Sequence, residues 1–417
     1  MDRFVVRPGA PLSGTVAVEG AKNSTLKLMA ATLLAQGRHV LSNVPRITDV
    51  DTMAEVLAAI GVWVRWTGDH ELTVDCPAEL QPETPYELVE RMRASVVVLG
   101  PLLARCGEAR VAMPGGDDLG PRPIDYHLQG LAALGATFET VHGTVYARAG
   151  SLTGARIVLE FPSHTTTDNL LMAAVRAKGT TVIENAAREP EVADLAAFLN
   201  RMGARIVGAG GSTIEVEGVD ELLPVDHVVI PDRVEAATFL AAVGLAGGEI
   251  EVERGRFDHL DMLIQKLGEM GVRIAPTATG LWAAASGRLR SLDVATLPYP
   301  GVASDYKPLL VTLLAVADGV GIVTENLFSG RWRYVDELRR MGADIRTEGS
   351  HAVVRGVQRL SGAPVRAPDI RAGASLVLAG LAADGETTVS SAQHVDRGYE
   401  RFAEKLAALG ADVRRER

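Results

Sequence analysis

The phrase "KLAALGADV", residues 405–413, reads as the last turn of an apolar helix, a glycine, and the opening of a strand. Five near copies precede it: "VLAAIGVWV" (56–64), "LAALGATFE" (131–139), "FLNRMGARIV" (198–207), "KLGEMGVRI" (266–274) and "ELRRMGADI" (337–345). In each, the glycine stands where a helix end needs a left-handed residue, and alternating apolar residues follow at strand spacing. These glycines are Gly61, Gly135, Gly203, Gly271, Gly342 and Gly410, by subtraction 74, 68, 68, 71 and 68 residues apart.

A second phrase runs in step with the first. A helix ends in a small-residue turn and a short strand follows, as in "LLAQGRHVLSNV", "VRAKGTTVIENA" and "LAADGETTVSSA". Six units of about 70 residues result, each holding helix, turn, strand, loop, helix, glycine and further strands. Such a unit is too long for a solenoid repeat and long enough for a small α+β subdomain. Six copies divide most simply into two lobes of three. The run "VGAGGST" (207–213) is not a dinucleotide fingerprint, because G-x-G-x-x-G is incomplete and a strand follows it, so it reads as a hairpin turn.

Bulk properties agree with a soluble two-domain protein. The chain has 417 residues, 47% hydrophobic and 23% charged, with no run approaching the roughly 18 apolar residues of a membrane helix. Its opening, "MDRFVVRPG", is too short and charged for a signal peptide. Two cysteines, Cys76 and Cys106, rule out a disulfide framework and fit a reducing cytoplasm. A net charge of −10 argues against nucleic acid as the main partner. Any anionic ligand must therefore be held by local basic residues.

The loops after the repeated strands are where the units differ, and loops on a repeated scaffold tend to carry function. Four of them bring a distinctive arginine: Arg122, Arg188, Arg331 and Arg397. One arginine at a helix start makes a surface ion pair, but several in equivalent loops suit a multiply charged anion gripped bidentately. The stretch "VEGAKNSTLKLMAATLL" (18–34) adds a Gly-Ala-Lys-Asn loop entering a helix, which offers free N–H groups and an ammonium together without being a Walker motif. The nine histidines form no H-E-x-x-H or similar metal-ligand pair.

"GAKNS" (20–24), "MRASVVVLGPLLAR" (92–105), "PGGDDLGPRPIDYHLQGLAALGA" (114–136), "ENAAREPEVAD" (184–194), "DIRAGASLVLAGL" (369–381) and "HVDRGYERFAEKLAALGA" (394–411) closely resemble the UDP-N-acetylglucosamine enolpyruvyl transferase family, end to end. The sister enolpyruvylshikimate-phosphate synthases share the fold and look less like these loops. The resemblance implies an α+β fold of the inside-out barrel type. Its two lobes, residues 21–230 and residues 1–20 with 231–417, would each have three βαβαββ-type repeats. A double crossover hinge near 20 and 230 and an active site in the interlobe cleft are part of the same expectation. It also implies transfer of the enolpyruvyl group of phosphoenolpyruvate to the 3′-hydroxyl of UDP-N-acetylglucosamine in the cytoplasm, with no metal or other cofactor and no nucleic-acid or membrane partner.

Residue by residue, the resemblance places Lys22 and Asn23 on phosphoenolpyruvate, Arg122 and Arg397 near its phosphate, and Arg331 and Arg371 on its carboxylate. Asp305 matches the general base that takes the sugar hydroxyl's proton, although an Asp there could simply cap the helix beginning near Tyr306. Arg93, Arg122, Pro123, Ile124, Asp125, Tyr126, Ser163, His164, Asp305 and Leu327 match nucleotide-sugar contacts, with Asp125 placed for uracil. Where the family loop commonly has Cys after "PGG", this chain has Asp117, which can act as general acid only if held protonated. Asp118 reads as a solvated loop residue. Because the family cysteine is the thiol that fosfomycin alkylates, Asp117 predicts resistance. Cys106, at a helix end, reads as a small buried residue and no substitute for that thiol.

Three departures touch the acceptor side: "PSHTTTD" (162–168) for the usual "PSVGAT", "VASD" (302–305) for "FPTD", and Thr48 for a common lysine. They keep open a different uridine nucleotide such as UMP, as in nucleoside-antibiotic pathways. A non-catalytic nucleotide-sugar sensor is the alternative from another class, and the joint presence of Lys22, Asp117, Asp305, Arg331, Arg371 and Arg397 speaks against it.

Overall fold

The computed structural model describes residues 2–115 and 123–416. Two compact units share them: one holds residues 2–19 and 231–416, the other residues 20–115 and 123–230. Each unit contains three four-stranded sheets of one topology, in which the first pair of neighbours is parallel and the next two pairs are antiparallel. In the sheet of the third repeat, Arg156–Val158 lies parallel to Thr180–Glu184, which pairs antiparallel with Thr213–Glu217, which pairs antiparallel with Arg205–Val207. The last two strands form the hairpin expected around "VGAGGST".

Strand–helix–strand–helix–hairpin is therefore the repeated unit, with strand exchanges that close each set of three. Asp226–Val228, from the end of its unit, supplies the parallel strand beside Gly37–Ser42. In the other unit the two N-terminal strands serve two different sheets. Leu12–Ala17 lies parallel to Gly248–Glu253, while Arg3–Arg7 fits between Thr387–Ser390 and Asp412–Glu416. All six helix-end glycines named above have φ between 85° and 114°, a region that costs an L side chain about 1–2 kcal/mol.

Strands such as Thr213–Glu217 alternate, with Ile214 and Val216 buried and Glu215 and Glu217 outward, as in a sheet with one solvated face. The helices come in two kinds. Pro190–Arg201 and Arg333–Arg340 are amphipathic, whereas Lys22–Ala31, His164–Ala174, Arg233–Ala246, Lys307–Val316 and Ile370–Leu381 are buried almost all round. A helix apolar on every side belongs in a core. Charged side chains inside such helices are exceptions that need partners. No helix of the described residues is long and apolar enough to cross a membrane.

Candidate active site

The buried helices share a feature at their first turn. Lys22, His164, Arg233 and Lys307 are the first residues of their helices, Arg371 is the second, and Arg93 opens the 3-10 turn that leads into Leu99–Cys106. A cation at the positive end of a helix is unfavourable, so each of these lysines and arginines needs compensation. Lys22 Nζ is 2.6 Å from Asp49 and both are buried. Arg233 Nη1 donates to Tyr306 Oη at 2.9 Å. Basic groups kept at this electrostatic cost in corresponding places mark candidate anion-binding positions.

The densest cluster joins Asp305, Arg331 and Arg371. Arg331 Nη1 donates to Asp305 Oδ1 at 2.7 Å, and Arg371 Nε to Asp305 Oδ2 at 3.3 Å. Both guanidiniums are buried, while the Asp305 side chain keeps 31% of its exposure. Asp305 does not cap the following helix: that helix begins at Lys307, and no side chain caps it. Asp369 takes the capping role one repeat on, accepting from the backbone N–H groups of Arg371 and Ala372, and lies 3.7 Å from Arg331 Nη2. Burial works against the charge of Arg331, but Asp305 and Asp369 outweigh it and hold its pKa above the usual arginine value. Arg331 Nε and Arg371 Nη1 are buried with no hydrogen-bond partner among the described residues. Unmatched buried donors are rare in native proteins and call for an explanation.

The other unit brings together most of the expected nucleotide contacts. Arg93 Nη2 donates to the Pro123 carbonyl at 3.0 Å, tying the two segments. Ile124 is buried and Asp125 opens the helix Asp125–Ala133, exposed, with Tyr126 half-buried beside it. On that helix His127 accepts from Asn169 Nδ2 at 2.9 Å and meets Thr165 Oγ1 at 3.4 Å. Burial lowers its pKa to about 3, so it is neutral. Ser163 precedes His164, whose Nε2 lies 3.2 Å from Lys27 Nζ and 3.5 Å from Asp168. Lys27 and Asp168 form a buried ion pair at 3.3 Å.

The remaining expectations fall in several places. Asn23 is half-buried next to Lys22, and Arg397 is half-buried at the end of the short helix Gln393–Asp396. The Leu327 N–H donates to Glu325 Oε1 at 2.8 Å. Asp117, Asp118 and Arg122 lie outside the described residues. Gly115, just before them, is tightly seated: a Cβ there would come within 2.0 Å of the Glu90 carbonyl oxygen. Arg188 stays at the surface, its Nε 3.5 Å from the Gly210 carbonyl. Cys106 ends its helix but is half-buried, while Cys76 is buried and accepts from Arg105 at 3.1 Å. Sequence reading passed over Asp49, Asp369, Lys27, Asp168, Lys307 and Glu325. Lone charges in apolar helical runs, as in "TLKLMAATLL" and "YKPLLVTLLAV", were the available signal.

Repeated folding units with buried arginines sharing an acid define an anion-binding class of protein, and comparison specifies the family. A family model described as EPSP synthase (3-phosphoshikimate 1-carboxyvinyltransferase) matches residues 6–406, and the chain belongs to that family. Within it, the chain is 50% identical to a UDP-N-acetylglucosamine 1-carboxyvinyltransferase of Anaeromyxobacter sp. over 421 residues, covering 100% of both chains. It is also 50% identical to the protein of that name in Mycolicibacterium paratuberculosis, covering 99% of each. Among solved structures, the enolpyruvyl transferase NikO from Streptomyces tendae matches with a TM-score of 0.89 at 28% identity, covering 99% of this chain and 98% of that one.

Proposed function

We propose that the protein transfers the enolpyruvyl group of phosphoenolpyruvate to the 3′-hydroxyl of UDP-N-acetylglucosamine and releases phosphate, the first committed step toward peptidoglycan. The observation that carries this reading is the Arg331–Asp305–Arg371 cluster: two buried guanidiniums share one partly exposed carboxylate, and each keeps a donor unmatched among the described residues. Such a pair suits the carboxylate of phosphoenolpyruvate. As that carboxylate takes over the guanidiniums, Asp305 is released to accept the sugar hydroxyl's proton.

In the addition step the hydroxyl oxygen bonds to C2 of phosphoenolpyruvate while Asp117 protonates C3. In the elimination step C3 loses a proton and the C2–O bond to phosphate breaks. Arg122 and Arg397 balance the phosphate charge, while Lys22 and Asn23 contact phosphoenolpyruvate, the lysine as a cation and the asparagine through its amide. Arg93, Pro123, Ile124, Asp125, Tyr126, Ser163, His164 and Leu327 hold the nucleotide sugar. Relatives at about half identity across the whole chain, bearing the name of this activity, support the assignment. Few cysteines, both free, fit a cytoplasmic setting.

A different uridine nucleotide as acceptor is the second reading. It rests on His164, which sets an imidazole against Lys27 and Asp168 beside the expected nucleotide contact Ser163. Phosphate release from phosphoenolpyruvate, compared with UDP-N-acetylglucosamine, UMP, UDP-glucose and shikimate 3-phosphate, separates the two. Release only with UMP favours the second reading. Release with none favours a non-catalytic binding protein.

A further inference from the structure

We propose that Lys307 and Glu325 are positioning residues that hold Arg331 and Asp305 in the geometry that binds phosphoenolpyruvate, an inference that rests on the enolpyruvyl-transfer reading. Neither side chain is exposed, and they face each other at 2.8 Å. Glu325 Oε1 accepts from Thr296 Oγ1 at 2.7 Å and from the N–H groups of Leu327 at 2.8 Å and Phe328 at 3.1 Å. Its Oε2 accepts from Ser304 Oγ at 2.8 Å. One carboxylate thus shapes the turn that leads to Arg331 and also fixes the residue before Asp305.

The connections close on Arg331 from both ends. Ser304 Oγ accepts from Arg331 Nη1 at 3.2 Å, the same nitrogen that reaches Asp305. At the other end Lys307 Nζ donates to the Arg331 carbonyl at 2.6 Å, with the Trp332 ring 3.8 Å away. The guanidinium and the backbone of Arg331 are therefore held by the same ion pair. A buried ion pair is weak evidence of a stabilising role, since a well-packed apolar pair often serves as well. Fixing one arrangement among several is the best-attested use of such a pair.

The groups facing Lys307 are Glu325, Arg331, Asp369 and the rings of Trp332 and Tyr334. Burial brings its pKa down to about 8 despite the opposing pull of Glu325. Mildly alkaline solution then removes the ammonium and lets Arg331 loosen.

Steady-state kinetics from pH 7 to pH 9.5 on the wild type, Lys307→Met and Glu325→Gln, with melting curves for each, test this. At pH 7 Lys307→Met should raise KM for phosphoenolpyruvate about tenfold, with a smaller change in KM for the nucleotide sugar. Wild-type KM for phosphoenolpyruvate should climb above pH 8, a rise that Lys307→Met lacks. Glu325→Gln keeps size and most hydrogen bonds and should fall between the two. An unchanged KM in either folded variant, or the same alkaline rise in Lys307→Met as in wild type, overturns the proposal while the transfer reading stands. Should Lys307→Met not fold, Glu325→Gln and the wild-type profile decide. Wild-type protein inert toward phosphoenolpyruvate with every acceptor overturns the transfer reading and the pair's task with it.

Discussion

Arg331 Nη1 lies 2.7 Å from Asp305 Oδ1, in a contact that joins a fully buried cation to a partly exposed acid. If Asp305 takes the hydroxyl proton, Asp305→Asn keeps the shape of the site and removes the base. Its kcat should fall by about 10²–10⁴-fold, with a melting temperature near that of the wild type. A variant of undiminished kcat would assign the proton transfer elsewhere.

Arg371→Lys keeps the charge but gives up the planar fork. Its KM for phosphoenolpyruvate should rise about tenfold or more, and binding of the nucleotide sugar alone should change little. Equal weakening of both substrates, measured by calorimetry, would place Arg371 in a general structural role.

Lys27 and Asp168 make a buried pair whose parts cannot be removed singly. Lys27→Met should destabilise the protein by about 3–5 kcal/mol, whereas Lys27→Leu with Asp168→Leu together should recover much of that loss. Burial raises the Asp168 pKa from 3.8 to about 7 against the pull of Lys27. Between those values the folded chain binds more protons than the unfolded one, so this group's contribution to stability falls as pH rises from 4 to 7. Asp168→Asn does not titrate. Its melting temperature relative to wild type should therefore increase over that range, and a constant difference would contradict the assignment.

Gly115 has no room for a side chain against the Glu90 carbonyl. Gly115→Ala should shift the segment leading to Asp117 and lower kcat by up to about 10²-fold. Phosphoenolpyruvate turnover by the variant at the wild-type rate would show that the segment's placement does not matter to the chemistry.

Asp117 in place of the family's cysteine predicts that fosfomycin does not inactivate the enzyme. Asp117→Cys should create stoichiometric, time-dependent inactivation, and Asp117→Asn should abolish turnover. Rapid inactivation of the wild type would refute the role given to this position.

Repetition made the fold readable from sequence. A glycine after each outer helix is needed whatever the tertiary contacts, so Gly61 through Gly410 announce the repeats locally. The closing strands are not announced in that way. Arg3–Arg7 carries no such signal, and only the complete topology shows it completing a sheet with Asp412–Glu416. In the site, loop arginines such as Arg331 stood out because basic residues recur in equivalent loops. Their supports did not: Asp369, Lys307 and Glu325 act through contacts with residues distant in sequence. Arg188 shows the opposite limit, because the same loop position can leave an arginine at the surface.

Mass spectrometry of the purified protein incubated with phosphoenolpyruvate and UDP-N-acetylglucosamine tests the central claim most directly. The proposed reaction yields the nucleotide sugar carrying one enolpyruvyl group, with one phosphate released for each product formed. UDP-N-acetylglucosamine left unmodified, while UMP or another acceptor is converted or nothing is, would contradict it.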